Sequence, residues 1–485
     1  MITLRRLADH RALLLPLALV VAGAAATLFR IGSKSIWYDE AMSVRYSTSS
    51  LDGLLSEVVG RDTNGIAYYM VLRGWILVVG EGEGAIRALS AIFAVITLLL
   101  VYAIGSRLMG RAGGFAAAAL LLASRMFIEY AQEARFYALA MLIAALGTLI
   151  LLGLVRRPRR GRLAAYAVLM GVGVYAHLFV GFVMAAHLLW LVGRAAGSGD
   201  RAALREPLIA GTAFGITVVP IAAYVLTGAG PTWILPLSSD TLTWTFLALS
   251  GDSPALIAVA VAAVAGVTVH LVRGGLAPGS RRDALVLVLL WAVVPIVAGI
   301  AVSFVRSMLV ARYFLVAVPA LCLVVVYAVS LIRWRPLAVA AYGLIVVVSL
   351  VSTVAWYDTP ARFDWRGTVQ AMVAWPGPGD RLVIYESNAQ VPFDYYVRRL
   401  DVADAIPARL APGEVEAIAT LPADRRPPRI WLVLDYRWTG VTPPALALLL
   451  DELTEAGYEP RGKDRYFGIV KIRMMVLDQQ AGAGL

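Results

Sequence analysis

The sequence predicts an α-helical polytopic membrane protein of about 11 spans with a C-terminal extracytoplasmic α/β domain. Of its 485 residues, 60% are hydrophobic and only 15% charged, and mean hydropathy is +0.75, whereas soluble domains carry roughly a quarter charged residues. Apolar runs suited to about 30 Å of hydrocarbon recur from residue 12 to residue 356. Beyond them the chain turns mixed and alternating, as soluble α/β modules do.

The runs fall at 12–31, 86–105, 112–126, 136–155, 163–177, 178–194, 208–227, 254–272, 284–304, 312–332 and 337–356. The first follows the short basic head "MITLRRLADHR" and has no A-x-A cleavage site after it, so it reads as a retained span with a cytoplasmic amino terminus. Basic clusters then mark every second connection: Arg107/Arg111, Arg156/Arg157/Arg159/Arg160/Arg162, Arg194/Arg201/Arg205, Arg273/Arg281/Arg282 and Arg333/Arg335. Lys and Arg stay on the cytoplasmic side, and the alternation closes without conflict.

Residues 66–80, "IAYYMVLRGWILVVG", are apolar but short and hold Arg73. If they crossed, every later basic cluster would change sides, so they read as a helix lying in the membrane interface. "LDGLLSEVV" carries apolar residues at 51, 54, 55, 58 and 59, a helical stripe fit for a second interfacial helix. Residues 32–86 thus form one external loop with two surface-lying helices. The membrane module is 1–356 and the extracytoplasmic domain 357–485, which an odd number of spans places outside. In that domain "RLVIYES", "RIWLVLDY" and "YFGIVKIRMM" read as strands, and "WRGTVQAMVAW" and "PPALALLLDELTEAG" as amphipathic helices.

The net charge of +11 is spread in clusters between apolar runs rather than in one basic stripe with interleaved aromatics, so topology accounts for it and nucleic acid is not a partner. The one cysteine, Cys322, sits in an apolar run, which leaves no disulfide framework or thiolate metal site. His10, His177, His187 and His270 show no close ligand spacing. No certain cofactor and no metal site is assigned, although a divalent cation bridging acids and phosphate is compatible with the reading.

The chemistry concentrates on the outer side. "SIWYDEAMS" puts Tyr38, Asp39 and Glu40 just past the first span, and "IEYAQEARFYAL" puts Glu129, Glu133 and Arg135 between the third and fourth. "VYAHLFVGF" brings His177 to a turn on that side, and "FVRSMLVARYF" brings Arg306, Arg312 and Tyr313. Each has a plain alternative: the acids as solvated anchors beside interface aromatics, His177 as a backbone-bonded core residue, the arginines as headgroup contacts. Charge near hydrocarbon is costly, however, and two acidic patches on one face exceed what anchoring needs.

Carboxylates and arginines together suit a displacement at carbon in which a phosphate leaves. A carboxylate accepts the proton of the incoming hydroxyl. A departing phosphate needs positive charge and donors rather than an acid, and arginine supplies both in a planar fork. Hydrolytic glycosidases, by contrast, need two cooperating carboxyl groups. No GxxxxGK[ST] loop, and no GxGxxG after a strand, offers a seat for a nucleotide donor. A lipid carrier keeps its tail between spans and its phosphate at the interface.

An ordered set of motifs carries a resemblance over nearly the whole chain: "WYDEA", the two interfacial helices, "YAQEARFYAL", "YAHLF", "ARYFLVAVPAL", "FDWRGTVQAM" and "VPFDYYVRRL". The chain resembles the membrane-embedded GT-C glycosyltransferases, in particular the bacterial group related to protein O-mannosyltransferases and the lipid A aminoarabinose transferase. The resemblance implies a GT-C-like fold and an inverting transfer of mannose or another pentose or hexose from a polyprenyl-phosphate-linked donor. The acceptor, a glycan, lipid or protein, would present its hydroxyl at the outer face of the cell membrane. By position it implies Asp39 as base, with Glu40 beside it and Glu133 as the second-loop carboxylate in the catalytic set, and Arg306, Arg312, Tyr313 and Arg135 at the donor phosphate. Tyr38, Tyr68, Tyr69 and His177 fall to substrate binding. Where relatives open the second interfacial helix with a proline-rich "PPLYY"-like stretch, this chain reads "NGIAYY", Asn64 to Tyr69, and keeps the two tyrosines.

The alternative class is a multi-span transporter or lipid flippase. Transporters place ionisable groups near mid-membrane on broken helices in related halves, whereas here the acids stand at one rim and no internal repeat is visible. A sensor anchored by its spans would not need eleven. In the exterior domain Glu386, Asp394, Tyr395 and Asp435 follow predicted strands, where solvated loop acids are common.

Overall fold

The computed structural model describes residues 2–61, 64–154, 160–227, 233–277, 279–361, 363–435 and 443–477. The chain packs as two compact units, one of Met1–Ile31, Tyr46–Glu81 and Ala85–Asp358, the other of Gly32–Arg45, Gly82–Gly84 and Thr359–Leu485.

The first unit is a helical bundle. Its chain path begins with α1 (Ile2–Leu28), the last residues of α2 (Tyr38–Thr48), whose start up to Arg45 belongs to the second unit, α3 (Leu51–Arg61) and α4 (Ile66–Val79). It continues through α5 (Glu83–Ala123), α6 (Arg125–Ala131), α7 (Tyr137–Leu154), α8 (Arg160–Val174), α9 (Val180–Ser198) and α10 (Arg205–Thr227). It closes with α11 (Ser239–Leu249), α12 (Pro254–Val272), α13 (Ser280–Ser303), α14 (Val318–Ser330) and α15 (Arg335–Asp358). Every apolar run read from the sequence is helical over most of its length. Arg156, Arg157 and Arg159, part of one predicted basic cluster, lie outside the described residues.

Among the described residues eight helices are long and apolar enough to cross a membrane, against eleven predicted runs. The difference has local causes. α5 is two helices joined at Gly110, whose φ of 80° only glycine adopts without strain. The arms meet at small residues, since a Cβ on Gly105 would stand 2.8 Å from Gly114 Cα. α8 has 15 residues, and the apolar part of α1 is the shorter Leu13–Leu28. Exposure follows apolarity in the way lipid-facing helices require: Leu344 and Val351 of α15, Val261 of α12 and Ile216 of α10 are exposed. The segment Ala311–Ser330 is the most buried of these eight and forms the bundle centre. A chain whose exposed surface is this apolar is a membrane protein.

The two stretches read as interfacial are helical, as α3 and α4; the stripe positions at 58 and 59 have side chains outside the described set. α4 buries Tyr68, Tyr69 and Leu72 and exposes Leu77 and Val78. Arg73, the charge that argued against a span, donates to the carbonyls of Ser47 and Ser49 and so caps the end of α2.

The second unit holds α16 (Trp365–Ala374), α17 (Ser387–Arg399), α18 (Pro412–Ala419) and α19 (Pro444–Glu455). Among the described residues its strands are β1 (Arg381–Tyr385), β2 (Ala408–Arg409), β3 (Arg429–Leu434), β4 (Tyr458–Pro460), β5 (Arg465–Phe467) and β6 (Val470–Leu477). The sheet order is β2-β1-β3-β6-β4, with β5 also on β6. β1 pairs parallel with β2 and β3, and β6 pairs antiparallel with β3, β4 and β5. β3 is apolar along almost its whole length because both faces are covered. Ile430, Leu432 and Leu434 pack with Leu446, Leu449 and Leu453 of α19. Buried Asp380 accepts from Trp431 Nε1 at 2.8 Å and from Arg429 Nε at 3.0 Å, which fixes the start of β1 to β3. The predicted strand "YFGIVKIRMM" is a hairpin, β5 and β6, turning at Gly468 with φ 65°. Tyr436, the last residue of the predicted strand "RIWLVLDY", is outside the described residues.

Candidate active site

In the first unit the predicted residues gather around the turn that joins α6 to α7. Gln132 Nε2 reaches the carbonyls of Thr27 at 3.0 Å and Phe29 at 2.9 Å, and so ties the turn to the end of α1. Glu133 and Arg135 follow, 8% and 6% exposed. Arg135 donates from NH1 to the Tyr69 phenol at 2.8 Å, and its guanidinium lies 4.4 Å from the Phe136 ring centroid. Its carbonyl accepts from Ser90 Oγ at 3.4 Å, and Ser90 in turn meets the Tyr68 phenol at 3.2 Å. A cation this buried is held by aromatic faces and hydrogen bonds.

The stretch "NGIAYY" has a local reason. Gly65, at the start of α4, has φ 98°, and a Cβ there would stand 2.3 Å from a Phe136 ring carbon. A proline, with φ fixed near −65°, cannot occupy that backbone. Asn64 Oδ1 accepts from Leu178 N–H at 3.2 Å, and Ala67 N–H donates to the Tyr175 carbonyl at 3.1 Å. The segment therefore docks onto the His177 turn, between α8 and α9, as well as onto Phe136.

His177 is buried among Phe136, Tyr137, Phe179 and Tyr313, at ring-centroid distances of 5.3, 5.6, 5.5 and 5.1 Å. Its Nδ1 accepts from Phe179 N–H at 3.1 Å, which puts the ring proton on Nε2. Nε2 has no hydrogen-bond partner among the described residues. Arg312, in the 3-10 segment Ala311–Ala317, donates from Nε to the Tyr137 phenol at 2.8 Å and lies 5.3 Å from the Trp233 ring centroid. Arg306 sits in the turn after α13, half-buried, with its N–H on the Val302 carbonyl at 2.8 Å. One continuous cluster thus brings together Tyr68, Tyr69, Arg135, His177, Arg312 and Tyr313, two stacked cations at the edges of an aromatic floor.

Tyr38, Asp39 and Glu40 belong to the second unit. They open α2, with both acids in its first turn, where the helix dipole favours negative charge. Glu40 is 1% exposed and Asp39 half-buried. The Asp39 carbonyl accepts from Ser43 Oγ at 3.0 Å. That Tyr38–Thr48 is a helix was not read from the sequence, since its apolar residues form no clear stripe. Ser90, Gln132, Phe136, Tyr137 and Trp233 were also not singled out, although "YAQEARFYAL" contains three of them.

A cavity of about 480 Å³ in the first unit is lined by apolar side chains of α12 to α15, among them Ile257, Val293, Cys322 and Ile345. Arg125, which starts α6, borders it and is paired with Glu129 at 3.3 Å and with Asp252. Among the described residues no group of three or more His, Cys, Asp or Glu side chains is placed to hold a metal ion, and no step is assigned to one.

Residues 64–224 match the family model of the dolichyl-phosphate-mannose-protein mannosyltransferases. No curated protein matches the sequence. Among solved structures, the chain is similar to ArnT from Cupriavidus metallidurans, both bound to undecaprenyl phosphate and in the apo state. Each of those matches has a TM-score of 0.58 and 13% identity, over 94% of this chain and 97% of that one. It is also similar to the Archaeoglobus fulgidus oligosaccharyltransferase in the apo form, with a TM-score of 0.51 and 12% identity, over 87% of this chain and 69% of the other.

Proposed function

Because the chain carries the fold of the GT-C glycosyltransferases, we propose that it is an inverting glycosyltransferase acting at the outer face of the cell membrane. It moves a hexose or pentose such as mannose from a polyprenyl-phosphate carrier to the hydroxyl of a glycan, lipid or protein acceptor. The observation that carries this reading is the pair of arginines, Arg135 and Arg312, each stacked on aromatic rings and hydrogen-bonded to a tyrosine in one cluster.

In this mechanism the acceptor oxygen bonds to the anomeric carbon from the face opposite the phosphate. Its proton passes to the Asp39 carboxylate as general base. The carbon–oxygen bond to phosphate breaks, and the electron pair leaves with the polyprenyl phosphate. Arg312, Arg135, Arg306 and Tyr313 supply charge and donors to that anion. Glu40 and Glu133 complete the carboxylate set, and Tyr38, Tyr68, Tyr69 and His177 offer rings and donors to the sugar. The apolar cavity beside α12 and α14 supports a donor with a hydrocarbon tail. One of the ArnT structures holds undecaprenyl phosphate, and we assign this chain a carrier of that class.

The topology belongs to the same proposal: residues 1–356 as catalytic membrane module with a cytoplasmic amino terminus, residues 357–485 as extracytoplasmic domain. Purified protein in lipid, offered radiolabelled mannosyl or pentosyl polyprenyl phosphate and, separately, the matching nucleotide sugar, should consume only the lipid-linked donor. Use of the nucleotide sugar alone would refute the reading.

A further inference from the structure

Two motifs of the C-terminal tail, "FDWRGTVQAM" and "VPFDYYVRRL", have no place in the chemistry above. In the second unit they meet at one point. Arg366, from the first, donates from Nε at 3.1 Å and from NH2 at 2.5 Å to Glu83 Oε1, and from NH2 to the Gly32 carbonyl at 3.1 Å. Its backbone N–H donates to Ser35 Oγ at 3.2 Å. Tyr396, from the second, donates from its phenol to the same Glu83 oxygen at 3.0 Å and accepts the N–H of Ile36 at 2.9 Å. The Arg366 guanidinium lies 5.9 Å from the Tyr396 ring centroid. Burial pushes the Tyr396 phenol up to about 12, so it stays protonated and keeps both bonds.

The segment held this way is short. Gly32, Ser35 and Ile36 are gripped at a carbonyl, a hydroxyl and an amide, and Ile36 is fully buried. Tyr38 begins α2 two residues later and Asp39 is its second residue. A chain pinned at three groups within five residues has few conformers left, and a helix starting directly after it inherits that order. Asp364, which caps α16 by accepting the Gly367 N–H at 3.0 Å, orients the turn that carries Arg366.

We infer that Arg366, Tyr396 and Glu83 are positioning residues, through which the C-terminal domain holds residues 32–36 and so sets Asp39 and Glu40 for the transfer. This rests on the proposed role of Asp39 and adds to it a function for the tail domain. The domain is then an obligatory part of the catalytic device.

The test uses the full-length protein in lipid, wild type against Tyr396→Phe and Arg366→Lys, with two readouts. Hydrogen exchange over the peptide that contains Ile36 reads the grip itself and needs no substrate. Steady-state transfer reads its consequence. In Tyr396→Phe exchange at that peptide should quicken, and kcat should fall about 10- to 100-fold, the scale of an ångström-level misplacement, with the donor KM unchanged. Arg366→Lys, which keeps charge but loses the fork, should fall between it and wild type. Unchanged exchange would overturn the inference, as would faster exchange with full turnover. If wild type transfers no sugar from any lipid-linked donor, the functional reading falls, and the exchange result still decides whether the tail domain orders the segment.

Discussion

Arg312 Nε donates to the Tyr137 phenol at 2.8 Å, while the same guanidinium lies against the ring of Trp233 at 5.3 Å. A planar cation held on two aromatic neighbours keeps its remaining N–H groups in a fixed direction. Lysine keeps the charge without the plane or the fork. Arg312→Lys should therefore raise the donor KM and lower kcat/KM by about 10- to 100-fold, roughly 1.4 to 2.7 kcal/mol of lost stabilisation. Tyr137→Phe, which removes only the phenol acceptor, should cost less. Steady-state kinetics on both variants checks the order.

Gly65 carries a second prediction. Its φ of 98° and the 2.3 Å approach of a Cβ to Phe136 act together. Gly65→Ala should destabilise the membrane unit by about 3 kcal/mol, the sum of a left-handed backbone penalty and a shifted aromatic ring. A lowered unfolding temperature in detergent would show it, with the largest exchange increase over residues 64–69 and 175–178. An unchanged temperature would mean that the Phe136 ring moves freely, against the close packing of that cluster.

The pH dependence of the tail domain has a definite sign. Asp464 accepts from Arg473 at 2.9 Å through both oxygens and pairs with Lys471 at 2.6 Å. The hydrogen bond from Arg473 is the largest effect, with Lys471 adding to it against the opposing effect of burial, and together the partners hold the carboxyl below its ordinary value of 3.8. A carboxylate depressed in the folded state contributes stability that is fully present above the ordinary value and is lost as pH falls through the folded one. Thermal unfolding of wild type should lose ground to Asp464→Asn only below about pH 4. A difference between the two that stays constant from pH 7 to pH 3 would remove this ion pair from the account.

What was legible in the sequence followed apolar content. Runs of twenty apolar residues announce helices whatever their neighbours, and β1 and β3 announce themselves by β-branched and aromatic density. α2 escaped because "YDEAMSVRYST" has neither a stripe nor a strong former pattern; its ends are set by Arg73 and by tertiary contacts. The hairpin of β5 and β6 escaped because a single glycine in a strand-like run reads equally well as a bulge.

The candidate site was legible where charge interrupts greasy sequence, as at Arg135 and Arg312, since such charge needs a reason near hydrocarbon. The neutral residues that hold those charges gave no such signal. Phe136 and Tyr137 look like ordinary core, and Gln132 looks like any turn residue until its amide is seen on the carbonyls of α1. The grip on residues 32–36 joins Gly32, Glu83, Arg366 and Tyr396, positions too far apart in the chain for spacing to relate them.

The central claim, that Asp39 takes the acceptor proton, is tested most directly by Asp39→Asn in purified protein reconstituted in lipid with a polyprenyl-phosphate sugar. The substitution keeps the size and the helix start but removes the base. Turnover should fall by about 10²- to 10⁴-fold, the usual contribution of general-base catalysis, while donor binding measured separately is retained. Wild-type turnover in Asp39→Asn would contradict the account and move the base elsewhere.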